Sequence, residues 1–341
     1  MIPTSSSDFD TWQMLFSKSK SFSPEMRDAY TQFCQEHYAP LHHQPWWLDT
    51  VCGAEGWQVA LATNKGGEIV GALPYHTACR WGLLKTIQLP PLTTYAGPWL
   101  RYPQARSLKE LSRTAFEKKV MGELIGQLPS GTFFQQNFRP EITNWLPFYW
   151  AGFRQTTRYT YIFDPIKDLE GIMAGFKSTL RGNLKKAERW AETRRDDEAW
   201  PTVFALNRLS FQRKNRRQPH SFETFQSLHF ALRQRSQSAS FVAYDRASRQ
   251  PSAGLYLVFD ERQAAVLLTG TDPAFKSHCA IDSLMVEAIR FCAERSLSLD
   301  FEGSMDEGIE HFFRSFGARL VPYFQVWKAG NKVLEAAKWC R

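Results

Sequence analysis

The chain runs through one order of segments twice, and this repetition restricts its possible folds more than any other feature. "WQVALATNKGGEIVGALPY" (57–75) and "SFVAYDRASRQPSAGLYLVF" (240–259) each read as two β-rich runs joined by a polar turn. In both, a Val-Ala pair is followed by glycine at one offset, Val59 to Gly71 and Val242 to Gly254. Downstream, "LKELSRTAFEKKVMGELIGQLPSGTFFQQNF" (108–138) and "AIDSLMVEAIRFCAERSLSLDFEGS" (280–304) each read as an apolar-periodic helix running into a strand. A short aromatic helix, a glycine turn and a final strand close each copy, "WLPFYWAGFRQTTRYTYIF" (145–163) and "IEHFFRSFGARLVPYFQVW" (309–327). A period this long excludes solenoids and propellers and predicts a duplicated domain with a small-molecule cleft between its copies.

With 341 residues, 43% of them hydrophobic, the chain is long enough for two cores. Its formal charge of +8 is concentrated: residues 177–217 hold twelve Lys/Arg against five Asp/Glu. Such a surface favours a phosphate-bearing or otherwise anionic partner, and a solvated helix face is the alternative. Six cysteines (Cys34, Cys52, Cys79, Cys279, Cys292, Cys340) show neither C-x-x-C pairing nor metal-ligand spacing with histidine, so no metal is expected. They read as reduced thiols of a cytoplasmic protein. "MIPTSSSDFDTW" lacks the basic and apolar regions of a secretory leader, and no apolar run is long enough for a membrane span.

Along the chain, "SPEMRDAYTQFCQEHY" predicts a helix capped by Ser23 with Pro24 at its first position. "LHHQPWWLDTVCG" predicts a buried helical patch of Trp46, Trp47, Leu48 and Val51, preceded by the pair His42 and His43. A hydroxyl-rich loop held by prolines carries Thr93, Thr94 and Tyr95 as substrate-contact candidates. "RQTTRYTYIFDPIKD" alternates as a strand that ends the first copy and begins the second, dividing the chain into 1–157 and 158–341.

"LEGIMAGFKSTLRGNLKKAERWAETRR" places Leu169, Ile172, Met173, Phe176, Leu180, Leu184, Ala187 and Ala191 on one face of a predicted helix. Lys177, Arg181 and Lys185 form a basic stripe beside it. Gly182 interrupts the helix at about 1 kcal/mol relative to alanine, which suggests close approach by another backbone or a ligand. Arg181, Gly182 and Asn183 are candidates to hold an anionic group, a surface helix with incidental glycine being the alternative. Arg213, Lys214, Arg216 and Arg217 either extend the positive surface or belong to a solvated loop, the reading favoured here.

The segment order of each half resembles the GNAT (Gcn5-related N-acetyltransferase) fold. Two copies in one chain, with "FKSTLRGNLKKAERW" opening the second and "LDFEGSMDEGIEHFFRSFGARLVPY" closing it, resemble the Fem-type and BioF2-like branch of that superfamily. The implied fold class is α/β (α+β): two tandem GNAT-like domains, each a mixed, mostly antiparallel sheet flanked by helices. The implied activity is an acyltransferase that moves an acyl or aminoacyl group to an amine of a bulky anionic acceptor of the cell-wall or glycan precursor type.

On that resemblance Lys177, Arg181, Asn183, Lys185, Tyr95 and Ser304 are substrate contacts, with Arg181 as the phosphate contact. Asp300 and Glu302, two apart on a predicted strand, share a face and become the groups that orient or deprotonate the amine. Their alternative is an ion-paired strand end. Arg314 follows Phe313 where Fem-type relatives often have lysine; an arginine stays protonated and stabilises negative charge without serving as a base. The donor is acyl-CoA or aminoacyl-tRNA, and the sequence leaves the two undecided. "DPAFKSHCAIDSLMVEAI" has no glycine-rich turn for the coenzyme A pyrophosphate, which leaves Lys276 and the helix start as its cofactor contacts. Charged tRNA is a further partner on the second donor. Two other classes stand beside the enzyme: a GNAT-like protein that binds a ligand or partner without chemistry, and a nucleic-acid binder acting through 177–217.

Overall fold

The structure, a computed structural model, describes residues 24–80, 84–103, 110–130 and 133–330. The N-terminal segment with Ser23, the start of the first copy's helix at Leu108 and Lys109, and Cys340 lie outside the described residues. The chain forms two compact units. Thr157–Tyr323 is the second, and everything before it, together with the segment that begins at Phe324, is the first. A division into 1–157 and 158–341 differs in assigning that last segment to the second half.

In chain order the first copy comprises α1 (Pro24–Glu36), a 3-10 turn (Leu41–His43), α2 (Pro45–Cys52), β1 (Trp57–Thr63), β2 (Ile69–Arg80), β3 (Leu84–Gln88), β4 (Trp99–Leu100), α3 (Glu110–Ile125), β5 (Phe133–Asn137), α4 (Leu146–Trp150) and β6 (Arg154–Phe163). There follow α5 (Leu169–Ala174), α6 (Ser178–Trp190), β7 (Ala191–Arg195), α7 (Trp200–Arg213), α8 (Phe222–Arg233), β8 (Ser238–Asp245), β9 (Pro251–Phe259) and β10 (Gln263–Thr271). A second 3-10 segment (Pro273–His278), α9 (Ala280–Ala293), β11 (Ser298–Asp300), α10 (Glu307–Arg314) and β12 (Arg319–Lys328) complete it.

Strand order in the first unit is β1-β2-β3-β5-β12. The hairpin is closed by Asn64, whose side-chain oxygen accepts from the backbone N–H of Gly66 and Glu68, and by Gly67 at φ +84°. β3 and β5 run parallel, with Ile87 opposite Phe134. β5 is then flanked by the end of β12, Gln325 opposite Asn137 through Lys328 opposite Phe134. Buried Val120, Met121 and Leu124 of α3 pack against this sheet with Leu73, Phe134, Phe138, Phe148 and Val326.

The second unit repeats the arrangement. Its order is β6-β11-β10-β9-β8-β7, with β10 and β11 parallel and the neighbouring pairs β8/β9, β9/β10 and β11/β6 antiparallel. Each unit therefore holds a hairpin, a third strand, and a strand parallel to that third strand reached through a helix. The last position is filled from the other copy: β11 pairs with the end of β6, and β5 pairs with the end of β12. One sheet face of the second unit is covered by α5, α6, α9 and α10 through Phe176, Leu180, Leu284, Met285, Leu299, Phe301, Phe313 and Phe316. The other face carries α7 and α8. There a Cβ on Gly270 would lie 2.2 Å from the backbone of Leu206 and Asn207, so only glycine allows α7 this close.

Two expectations need correction. The equal Val-Ala to glycine offsets are not equal registers, since Gly71 pairs with Ala62 but Gly254 with Val242. Gly71 faces Val120 of the helix after its hairpin, whereas Gly254 faces Val203 and Leu206 of the helix before it. The single helix expected from Leu169 through Ala191 is two. Lys177 is extended at the N-cap of α6 (φ −56°, ψ 149°), and Ala191 already belongs to β7. The apolar spacing survives the break because both helices lie on the same core.

Candidate active site

The parallel pair β10/β11 is short. It runs from Gln263 opposite Ser298 to Ala265 opposite Asp300, and β10 continues to Thr271 without β11 beside it. Where the two part, β10 is irregular: Val266 lies opposite Leu257 and Leu268 opposite Tyr256, so Leu267 is an extra residue in the ladder with β9. A bulge of this kind turns a backbone group out of the sheet. The second unit thus has an opening between two parallel strands, with a bulge on one wall and the end of β11 on the other.

Asp300 is the last residue of β11 and is buried. Its Oδ1 accepts from Thr160 Oγ1 at 2.5 Å and from the Glu302 backbone N–H at 2.7 Å. Those bonds fix the turn that follows. Glu302 lies beyond the strand with φ +58°, so Asp300 and Glu302 do not share a strand face as their spacing predicts. Gly303 continues the turn at φ +50°, where a Cβ would stand 2.2 Å from Tyr159 O. Arg158 Nε donates to Tyr323 Oη at 3.3 Å. Burial chiefly raises the Tyr323 phenol above its ordinary value; Arg158 opposes this, and Asp300 and Glu302 push it further up. The group at this end of the unit is therefore Asp300, Glu302, Thr160, Arg158 and Tyr323.

Arg314 is not part of that group. It pairs with Glu310 at 3.1 Å on exposed α10, and Glu310 accepts from the Tyr161 hydroxyl. Burial first, then Glu310, pushes Tyr161 up to about 12. Thr160 and Tyr161 are neighbours on β6 and point to opposite faces, so Asp300 and Arg314 lie on opposite sides of the sheet. Ser304 Oγ accepts from the Asp306 N–H at 3.0 Å, and Asp306 caps α10, so Ser304 shapes the approach to that helix.

Lys177, Arg181 and Lys185 are exposed on α6. Arg181 donates to Phe176 O at 2.5 Å and Ala174 O at 3.3 Å, closing the C-terminal end of α5. Gly182 has nothing within 4 Å of an added Cβ, so among the described residues no backbone requires glycine there. Asn183 Nδ2 donates to Asp282 Oδ1 in the first turn of α9 at 3.2 Å. Lys214 pairs with Asp306 at 3.1 Å, and Gln218 Nε2 donates to Asn207 Oδ1 at 2.7 Å, so the 214–218 loop is fastened at two points. In the first unit Tyr95 is 1% exposed and belongs to the buried interior. Its loop is held by Asn137, whose side chain donates to Thr94 O at 3.0 Å and whose carbonyl accepts from Ala96 N at 2.7 Å.

The coenzyme A pyrophosphate tests poorly against the start of α9. Lys276 is exposed there, but Asp282 places an acidic side chain in the first turn, which disfavours a second anion beside it. Burial raises the Asp282 pKa, opposed by its bond from Asn183. The helix start already holds its own acid. Among the described residues no group of three or more His, Cys, Asp or Glu is placed to hold a metal ion.

Sequence reasoning missed Thr160, Arg158, Tyr323 and the bulge at Leu267. Alternation in "RQTTRYTYIF" does put Arg158 and Thr160 on one face, but their facing residue is set by the β6/β11 register. The bulge has no sequence signal, because "AAVLLTGT" reads as an uninterrupted strand.

Residues 174–314 match the family model of the acetyltransferase (GNAT) domain, a stretch within the second unit that includes the β10/β11 opening. Among solved structures the chain is similar to FemX, with TM-score 0.62 at 12% identity, over 87% of this chain and 95% of that one. It is similar to the C-terminal domain of a putative lysylphosphatidylglycerol synthetase from Agrobacterium fabrum, with TM-score 0.53, 14% identity and coverage of 92% and 95%. L-PGS from Bacillus licheniformis gives TM-score 0.50, 12% identity and coverage of 91% and 92%. At these identities the likeness is one of fold. No curated protein matches the chain in sequence.

Proposed function

We propose that the protein is an aminoacyltransferase that joins the carboxyl carbon of an aminoacyl ester, carried on tRNA, to an amine of a bulky anionic acceptor. The observation that carries this reading is the opening between β10 and β11, with a bulged backbone at Leu267 on one wall and Glu302 at the end of the other. The fold of FemX and of the lysylphosphatidylglycerol synthetase domain supports transfer of an amino acid to a cell-wall or lipid acceptor. Asp282 at the start of α9 favours the ester over an acyl thioester of coenzyme A.

In this reading the acceptor amine attacks the ester carbonyl, and the backbone N–H at the bulge stabilises the oxyanion that forms. The amine proton passes through Glu302 to the ribose oxygen as the C–O bond breaks, leaving an amide and an uncharged tRNA end. Asp300 holds Glu302 through the backbone bond described above and makes no contact with the reacting atoms. Lys177, Arg181 and Lys185 supply positive charge toward phosphate groups of donor or acceptor.

The test is transfer of a labelled amino acid from charged tRNA to a nucleotide-diphosphate-linked peptide with a free amine, run beside labelled acetyl-CoA. Label should move from tRNA and not from acetyl-CoA, and Glu302→Gln should lower kcat about a hundredfold. Failure to bind or turn over either donor overturns the transferase reading. Glu302→Gln at full cellular function would favour a GNAT-like binding protein instead.

A further inference from the structure

We infer that the first unit docks on an anionic phospholipid surface through the outer face of α4 and the adjoining face of α3. The packing of α4 is unusual for a surface helix. Pro147 and Phe148 are buried, while Leu146, Tyr149 and Trp150, at i, i+3 and i+4, form its outer face. They are 45%, 58% and 56% exposed where polar residues would ordinarily stand.

α3 extends the patch. Asn144, just before α4, donates to Glu117 of α3 at 2.8 Å, and Lys118 Nζ lies 5.3 Å from the Trp150 ring centroid. Leu111, two helical turns before Lys118 and on its face, is 83% exposed. Lys119 adjoins Lys118, with Glu123 3.9 Å from its ammonium. At the other end of α4, Lys328 Nζ donates to Ala151 O at 2.7 Å.

This composition identifies the occupant. Tryptophan and tyrosine have apolar bodies and polar tips and settle at the headgroup level, and leucines enter the acyl boundary. Lys118 and Lys119 beside them complement acidic headgroups. A protein groove would be met by an apolar face depleted in lysine. No described helix is long and apolar enough to cross a membrane; the inferred contact is a peripheral one through the patch. The docking is independent of the transferase reading: it uses no residue of the β10/β11 site.

The experiment is co-sedimentation of the full chain with vesicles of phosphatidylcholine alone or mixed with phosphatidylglycerol. The chain should pellet with the mixed vesicles and much less with the neutral ones. Tyr149→Ser with Trp150→Ser should weaken that binding about tenfold or more, from the apolar area withdrawn. Lys118→Glu should weaken it only on mixed vesicles. Leu111→Ser with Leu146→Ser repeats the test on separate residues should the aromatic variant unfold. Absence of vesicle binding overturns the inference, as do variants that bind like the parent. Self-association that disappears in the aromatic variant, with no vesicle binding, assigns the patch to a second copy of the chain and also overturns it.

Discussion

Thr160 and Gly182 show how differently single residues bear on this protein. Thr160 is the buried donor to Asp300, and Thr160→Val leaves that carboxylate one bond short. A loss of about 1–3 kcal/mol is expected from denaturant unfolding, together with lowered activity if Asp300 positions Glu302. Gly182→Ala adds a methyl to open space and removes a helix-interior glycine, so thermal unfolding should show a gain of about 1 kcal/mol. Unchanged activity in that variant would mean that no ligand passes close to α6. His42 and His43 set the acid limit of the first unit. Burial, then the Arg139 charge, lowers both to about 3 from an ordinary 6.5. Between those values the unfolded chain takes up protons that the folded one does not, so stability is full above pH 6.5 and falls as the pH drops toward 3. The urea midpoint should decline across that window, and His43→Gln should flatten the decline even while lowering the midpoint at pH 7.

Elements were legible in the sequence where pattern and packing agree. Both hairpins, the α3 and α9 helices and the strand at 154–163 follow from periodicity and turn residues. The α5/α6 break was not legible, because an apolar face continues across Gly175–Lys177 and periodicity cannot show a change of axis. The Asp300/Glu302 spacing misled in the same way: period-two reasoning holds only inside a strand, and β11 ends at Asp300. Helix-to-sheet contact supplies a test at this scale. Gly270→Val places carbon against the α7 backbone, and separating α7 from β10 should cost upward of about 2 kcal/mol, read as a lower unfolding midpoint for the second unit.

In the whole molecule, the exchange of final strands makes the end of the chain part of its beginning. Val326 is fully buried in the first unit, and Gln325 to Lys328 pair with β5. A chain ending at Tyr323 should therefore lose the cooperative unfolding and near-ultraviolet signal of the first unit while keeping the far-ultraviolet signature of the second. The duplication, the order of elements and the basic character of α6 are written in local periodicity, turn residues and charge. Tertiary structure alone decided which strands complete each sheet, where β10 and β11 part, and that Asp300 and Arg314 lie on opposite faces. Those outcomes depend on register between residues about 140 apart in the chain, such as Thr160 and Asp300. A shift of one residue in that pairing would turn every side chain to the other face, and nothing local in the sequence specifies it.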